Sequence, residues 1–315
     1  MTQTYQLYGL TVESTRAFSR PVPSASGSSS LRVEAGPPVP SAAFWPQLEV
    51  ASSSSPDHAI SNTLYRHPED DICALRFQDA ADYVLTPNEI SYHLHDSRLE
   101  YAVDIWLLGP VFSIWNELRG RPALHAAAVS VGDEAVGILA TKKGGKTTLA
   151  AALMNAGRPL LTDDVLVLDC PETEITGHPS YPQMRMWPDQ AQYFVGDVEA
   201  LPRVVPHLTK RRVPVGPDTF GEFRTTACPV THLFLPERRP NATSIRTSRL
   251  SPQDAFVELL RHSFLPHTVE RLHLADQRLP LLTALSEQVQ MHRLIYPEGN
   301  DHLPRVAEAI LRETA

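Results

Sequence analysis

Ala140-Thr141-Lys142-Lys143-Gly144-Gly145-Lys146-Thr147-Thr148 is the stretch on which the reading of this fold turns. It lies between an apolar run, residues 135–139, and a helix-forming run, residues 148–156, which is the strand, loop and helix order of a phosphate-binding loop. A backbone that wraps polyphosphate needs glycines so that successive N–H groups can turn inward, a lysine that reaches the β and γ phosphates, and a hydroxyl for Mg²⁺. Gly144, Gly145, Lys146 and Thr147 supply these parts, with Thr148 next in line. Ala140 departs from the pattern, standing where a glycine is usual. Alanine is harmless there if the backbone stays extended and pinches the loop if it must turn to positive φ.

Working outward, Asp163-Asp164 follows Lys146 after the length of one helix and one return strand, which places the pair at the loop's edge of a sheet. One carboxylate can hold Mg²⁺ beside Thr147 while its neighbour takes the proton of an attacking hydroxyl. A local acidic turn is the competing reading, and the nearby lysine loop weighs against it. His125 precedes the apolar run 126–131, which a Gly132-Asp133 turn joins to the strand entering the loop. Its imidazole is either an ordinary edge residue or a hydrogen-bond partner of an aspartate. Arg185, Lys210 and Arg211 are candidates for an anion clamp, because arginine in particular offers planar multidentate donors. A solvated basic turn explains them equally well, and is preferred for Lys142 and Arg212. Trp187, just before Pro188, reads as a loop anchor rather than a base-stacking platform. His93 and His95 alternate along a strand without a third metal ligand and are taken as surface residues.

The rest of the chain divides in two. Residues 1–100 are rich in proline and serine, above all residues 21–56, and read as a β-rich region with long loops that contributes to substrate recognition. Strands are expected at 5–11, 30–33, 72–77, 83–85 and 89–93. Residues 101–315 read as the catalytic α/β domain, opening with a helix over 101–118 that joins the regions and stops at Arg119-Gly120. Further along, strands are expected at 165–168 and 231–235, and helices at 252–261, 279–292 and 303–313.

Composition bounds the function. The chain has 315 residues, 28 basic and 36 acidic, for a formal net charge of −8. Nothing global attracts nucleic acid or an anionic membrane, so any anion must be captured locally. Cys73, Cys170 and Cys228 form no CxxC pair and no disulfide framework, which fits a reducing compartment. No apolar run approaches the roughly 18 residues of a membrane span, and residues 1–10 lack the order of a signal peptide. The expected setting is the cytoplasm.

Leu124-His125-Ala126, the Lys146 loop and Leu161-Thr162-Asp163-Asp164 together resemble, in order and spacing, the C-terminal catalytic domain of HPr kinase/phosphorylase and its related serine kinases. The resemblance covers residues 122–170 best. It extends more weakly through 185–189 and 209–211, which look like a branch that includes kinases of lasso-peptide precursors. It implies an α/β phosphate-loop fold, ATP and Mg²⁺ as cofactors, and transfer of the γ-phosphoryl to a serine of a peptide or protein. Residue by residue it implies Lys146 and Thr147 on ATP·Mg²⁺, Asp163 as base with His125 as its partner, and Asp164 on the metal. The family's glutamate-isoleucine-arginine signature is not legible here, Met184-Arg185-Met186 being the nearest trace, so reverse phosphorolysis is not implied. The N-terminal region is unlike that family's regulatory domain, so HPr itself is not implied as substrate. Two alternatives stay open, a small-molecule acceptor such as an amino acid or sugar, and a nucleotide-binding regulator whose chemistry has decayed. A homo-oligomer is also left open.

Overall fold

The computed structural model describes residues 2–39, 51–55, 58–66 and 71–314. The chain forms two compact units, one of residues 1–120 with 267–275 and one of residues 121–266 with 276–315. Among the described residues no helix is long and apolar enough to cross a membrane. Among the described residues Cys73, Cys170 and Cys228 form no disulfide.

The first unit is built on a sheet of β1 (Gln3–Leu7), β2 (Leu10–Ser14), β3 (Leu31–Ala35), β4 (Ala51–Ser55), β5 (His58–Arg66), β6 (Cys73–Phe77), β7 (Ala81–Leu85) and β8 (Glu89–Leu94). Their order is β1-β2-β3-β8-β7-β6-β5-β4. The strand expected over residues 5–11 is in fact a hairpin. Tyr8 and Gly9 take φ of 51° and 76°, the doubly left-handed turn that matches the twist of paired strands. The serine run at 52–55, expected as loop, is strand β4 paired with β5, while residues 40–50 lie outside the described residues. The helix expected at 101–118 runs as α1 (Glu100–Trp106), a π turn over Leu107–Val111 and α2 (Phe112–Leu118). Pro110 has no N–H to give to the ladder, and the wider turn absorbs that loss without ending the helix. By contact density this helix belongs to the first unit.

The second unit carries β9 (Ala123–Leu124), β10 (Ala126–Val131), β11 (Glu134–Leu139), α3 (Lys146–Asn155), β12 (Leu160–Thr162), β13 (Leu166–Asp169), β14 (Thr176–Gly177), β15 (Gln183–Met186) and α4 (Pro188–Phe194). They are followed by β16 (Arg211–Pro214), β17 (Cys228–Arg238), β18 (Arg246–Arg249), α5 (Pro252–Arg261), then α6 (Pro266–Arg271), which from residue 267 belongs to the first unit, and α7 (Ala275–Gln288), β19 (Gln290–Tyr296) and α8 (Leu303–Glu313). Strand β10 pairs antiparallel with both β11 and β12, whereas β11, β17 and β19 run parallel. The C-terminal ends of β11, β12, β17 and β19 and the N-terminal end of β10 therefore share one sheet edge. The helix expected over 279–292 ends at Gln288, and its last residues belong to β19.

Alternation along the strands sends side chains to two faces. Ala127, Val129, Val136 and Ile138 pack with Leu149 and Leu153 of α3 and Val306 and Ile310 of α8. Ala126, Ala128, Ala135 and Leu139 pack with Leu259 of α5 and Leu282 and Leu285 of α7. Ala150, Ala151 and Ala152 of α3 are all buried, so the helix after the loop is held close on every side. In α8 the spacing of Leu303, Val306, Ala307 and Ile310 makes one apolar stripe. The result is a mixed sheet between helical layers, the α/β architecture expected.

Candidate functional site

The loop after β11 arrives at the shared edge and turns into α3. Lys143 and Gly145 are left-handed, with φ of 64° and 96°, and the Gly144 amide donates to the Thr141 carbonyl at 2.9 Å. A Cβ at Gly144 would lie 2.7 Å from the Ala140 Cβ and 2.9 Å from the Thr141 oxygen, so only glycine fits. Ala140 itself is outside the left-handed region. Alanine costs the backbone nothing there, and the loop keeps its form without the customary first glycine. No side chain caps α3 at Gly145. The first-turn amides of Lys146, Thr147 and Thr148 thus have neither an intrahelical partner nor a side-chain cap, the arrangement in which helix starts bind anions.

Lys146 is only 7% exposed. Its ammonium donates to the Ala140 carbonyl at 2.7 Å and to His125 Nε2 at 2.9 Å, with the Thr141 carbonyl at 3.4 Å. Since Nε2 accepts, the imidazole hydrogen is on Nδ1, which faces the Asp164 carbonyl at 3.1 Å and Asp164 Oδ1 at 3.5 Å. Burial and the adjacent lysine hold the histidine pKa down against the pull of Asp164. His125 is therefore neutral near pH 7. Its backbone N–H donates to the His262 carbonyl at 2.8 Å, and its ring meets Phe264 edge-on at 5.6 Å.

The two aspartates differ. Asp163 is 8% exposed and both its oxygens are occupied, Oδ1 by the Thr147 hydroxyl at 2.8 Å and Oδ2 by the Arg185 amide at 2.8 Å. Burial, reinforced by the neighbouring Asp164 charge, raises its pKa. The Asp164 side chain is 28% exposed and takes Arg185 Nη1 on Oδ2 at 3.1 Å. Burial opposes its ionisation, yet the charges of Arg185, Lys210 and Lys146, joined by His125 once acid protonates it, hold the carboxyl below the usual carboxylate range. Its φ of 84° is unusual for a residue with a side chain, and marks a strained turn at the site.

The expected partnerships are thus exchanged. His125 meets Asp164, where the resemblance implied Asp163, and Thr147 meets Asp163, where it implied Asp164. The reason is geometric: Asp163 directly follows β12 and points toward the start of α3, and the left-handed turn at Asp164 aims the second carboxylate at His125, which sits between β9 and β10.

Arg185 joins the site through β15, and its Nη2 donates to the Tyr181 hydroxyl at 3.1 Å. Lys210 is close enough for its charge to act on Lys146, Asp163 and Asp164. Arg211, expected in the clamp, is turned away: its guanidinium binds both Glu199 oxygens at 3.0 and 3.2 Å and the Leu201 carbonyl at 3.1 Å. Register explains the difference, since neighbouring residues around the start of β16 point to opposite faces. His95 pairs with Asp82 at 3.0 Å and His93 with the Gly36 carbonyl at 3.1 Å. Among the described residues no group of three or more His, Cys, Asp or Glu side chains is arranged to hold a metal.

Sequence reasoning missed Tyr181, Arg238 and Tyr296. Arg238 ends β17 and donates to the Lys143 carbonyl at 2.7 Å. Tyr296 ends β19 with its hydroxyl 3.2 Å from where a Gly145 Cβ would be, and burial pushes its pKa up to about 12. Only knowledge that β17 and β19 run parallel to β11 would have brought these ends to the loop.

No family model matches the chain, and no curated protein does. Among solved structures it is similar to the Hpr(Ser) kinase/phosphatase from Coxiella burnetii, at 15% identity and a TM-score of 0.32, over 61% of this chain and 95% of that one. What the site can do follows from its own geometry.

Proposed function

We propose that this protein is a kinase that uses ATP and Mg²⁺ to phosphorylate a hydroxyl, with a serine of a peptide or protein as acceptor. The observation that carries this reading is the Thr147 hydroxyl on Asp163 at 2.8 Å, at the uncapped start of the helix that the glycine loop feeds. The donor set fits both cofactors. Thr147 and Asp163 offer hard oxygens suited to Mg²⁺, which binds through one or two carboxylates together with substrate phosphates. A loop in which a Cβ at Gly144 would clash lets backbone amides close on an anion. When bound, the metal neutralises charge on the phosphate oxygens.

The chain's own groups do the rest. Lys146, now resting on Ala140 and Thr141 carbonyls, is within reach of the helix start and meets the phosphates as a point charge. Asp164 is the accessible, ionised carboxylate, so it accepts the acceptor hydroxyl's proton as the oxygen attacks the γ-phosphorus and ADP departs. His125 orients Asp164 through Nδ1 and links it to Lys146 through Nε2. Arg185 holds both aspartates apart with its amide and its guanidinium.

The test is to incubate the chain with labelled ATP, Mg²⁺ and serine peptides, measuring ADP and phosphoserine. Equal yields of the two are expected. Asp164→Asn is expected to lower transfer by about 10²–10⁴ with nucleotide affinity retained, and Asp163→Asn to raise the Mg²⁺ concentration needed for half-maximal rate. An Asp164→Asn variant at full rate returns the proton to Asp163, and ADP formation without any phosphorylated acceptor sinks the kinase reading.

A further inference from the structure

Beside the loop lies a cationic surface that nucleotide binding does not account for. Lys146, Lys210 and Arg185 act on Asp163 and Asp164, with Lys143 in the adjoining loop and Arg238 bound to that loop's backbone. These cations outnumber the carboxylates by more than a metal-bound triphosphate, with about two net negative charges, neutralises. The surplus stands out in a chain whose net charge is −8.

Its placement is specific. The Trp187 ring carries the Lys143 ammonium 5.5 Å and the Lys210 ammonium 5.8 Å from its centroid, the range of cation–π contact. Lys142 is exposed, and its pKa is pushed down by desolvation and by the charges of Lys210 and Lys143. Adjacent ammonium groups that repel one another are stabilised by an anion laid across them. Lys142 and Lys143 are exposed and Trp187 and Lys210 half-exposed, so the ligand lies on an open surface rather than in a closed pocket. An indole with lysine stems gives a flat apolar floor for a chain, and the ammonium groups reach its acidic side chains.

We propose that Lys142, Lys143, Lys210 and Trp187 form a docking surface for an acidic peptide segment flanking the acceptor serine. The proposal rests on the kinase reading for its meaning, but the binding it requires is measurable without catalysis.

The experiment uses the full chain saturated with Mg²⁺ and a non-hydrolysable ATP analogue. Fluorescein-labelled serine peptides with glutamate flanks or glutamine flanks are titrated by anisotropy. The glutamate peptide is expected to bind about tenfold tighter or better, with the preference shrinking at high salt. A Lys142→Glu/Lys210→Glu variant is expected to lose the preference. Lys142→Gln/Lys210→Gln serves instead if the charge reversal lowers the unfolding midpoint.

Equal binding of the two peptides by the unaltered chain overturns the proposal. So does release of the nucleotide analogue by the glutamate peptide, which would place the peptide on the phosphate site, or displacement of the peptide by free glutamate at similar concentration. If the glutamate peptide binds selectively yet is never phosphorylated from ATP, the kinase reading fails while the docking surface stands. If both peptides are phosphorylated with equal KM, the docking surface fails while the kinase reading stands.

Discussion

At the scale of single residues, Ala140 and Gly144 form a matched pair. Lost at the first position of the loop, the glycine is needed at the fifth, because the Ala140 methyl fills the space that a Gly144 side chain would take. Ala140→Gly is expected to leave nucleotide affinity within about twofold. Its cost in stability is about 0.5–1 kcal/mol, from the added freedom of the unfolded chain. Gly144→Ala instead forces a shift of ~1–3 kcal/mol in the loop, which weakens nucleotide binding by about tenfold or more. The double variant should recover part of that loss and no more, since the Thr141 oxygen still lies 2.9 Å from the new methyl. Calorimetric titration of the four proteins with an ATP analogue measures the cycle. A double variant no better than Gly144→Ala would show that the carbonyl, and not the methyl, sets the limit.

At the scale of elements, what was legible in the sequence was what local chemistry dictates. The β10–β11 hairpin was readable because apolar runs flank Gly132-Asp133, and Gly132 indeed takes a φ of 61°. The loop, α3, α8 and the Asp163-Asp164 corner followed from glycine placement, the apolar stripe and chain length. What was hidden depends on partners distant in sequence. Nothing in Thr231 to Leu235 says that β17 lies parallel between β11 and β19, because a strand buried on both faces reads the same in either direction. Residues 289–292 continued a helical pattern until burial of Met291, Leu294 and Tyr296 in a sheet overrode it. The exchange of aspartate partners was likewise invisible, since it is set by one left-handed residue, Asp164. α3 supports the site by packing rather than by helix propensity alone, so its inner face is where truncation should be felt. Leu153 is fully buried between the sheet and α8. Leu153→Ala is expected to destabilise by about 2–5 kcal/mol in urea unfolding, whereas a change below about 1 kcal/mol would mean that the neighbouring alanines of α3 let the helix collapse onto the gap.

At the scale of the second unit, buried histidines set the response to acid. His125, His232, His262 and His292 all have pKa values lowered chiefly by burial. A histidine whose folded pKa lies below its unfolded value binds its proton more readily when unfolded. The stability it contributes is present above the unfolded value of 6.5 and is lost as pH falls through the folded one. Each histidine that must be charged adds a slope of up to about 1.4 kcal/mol per pH unit. Asp163, with its raised pKa, acts in the opposite sense, favouring the folded state as pH falls toward the ordinary carboxylate range. Asp164 and Asp169, both lowered, withdraw stability only below that range. Between pH 7.5 and 5.5 the histidines therefore dominate, and the urea midpoint of this unit should fall with acidification. His292 isolates one share of the effect, because neither of its ring nitrogens makes a hydrogen bond among the described residues and its ring stacks on Phe234 with centroids 5.2 Å apart. His292→Phe keeps the stack and removes both the polar atoms and the titration. It should raise the midpoint at pH 7.5 and make the pH dependence shallower by up to one proton. An unchanged slope would mean that His292 keeps its ordinary pKa in the folded chain, with Glu313, 3.8 Å away, compensating the burial.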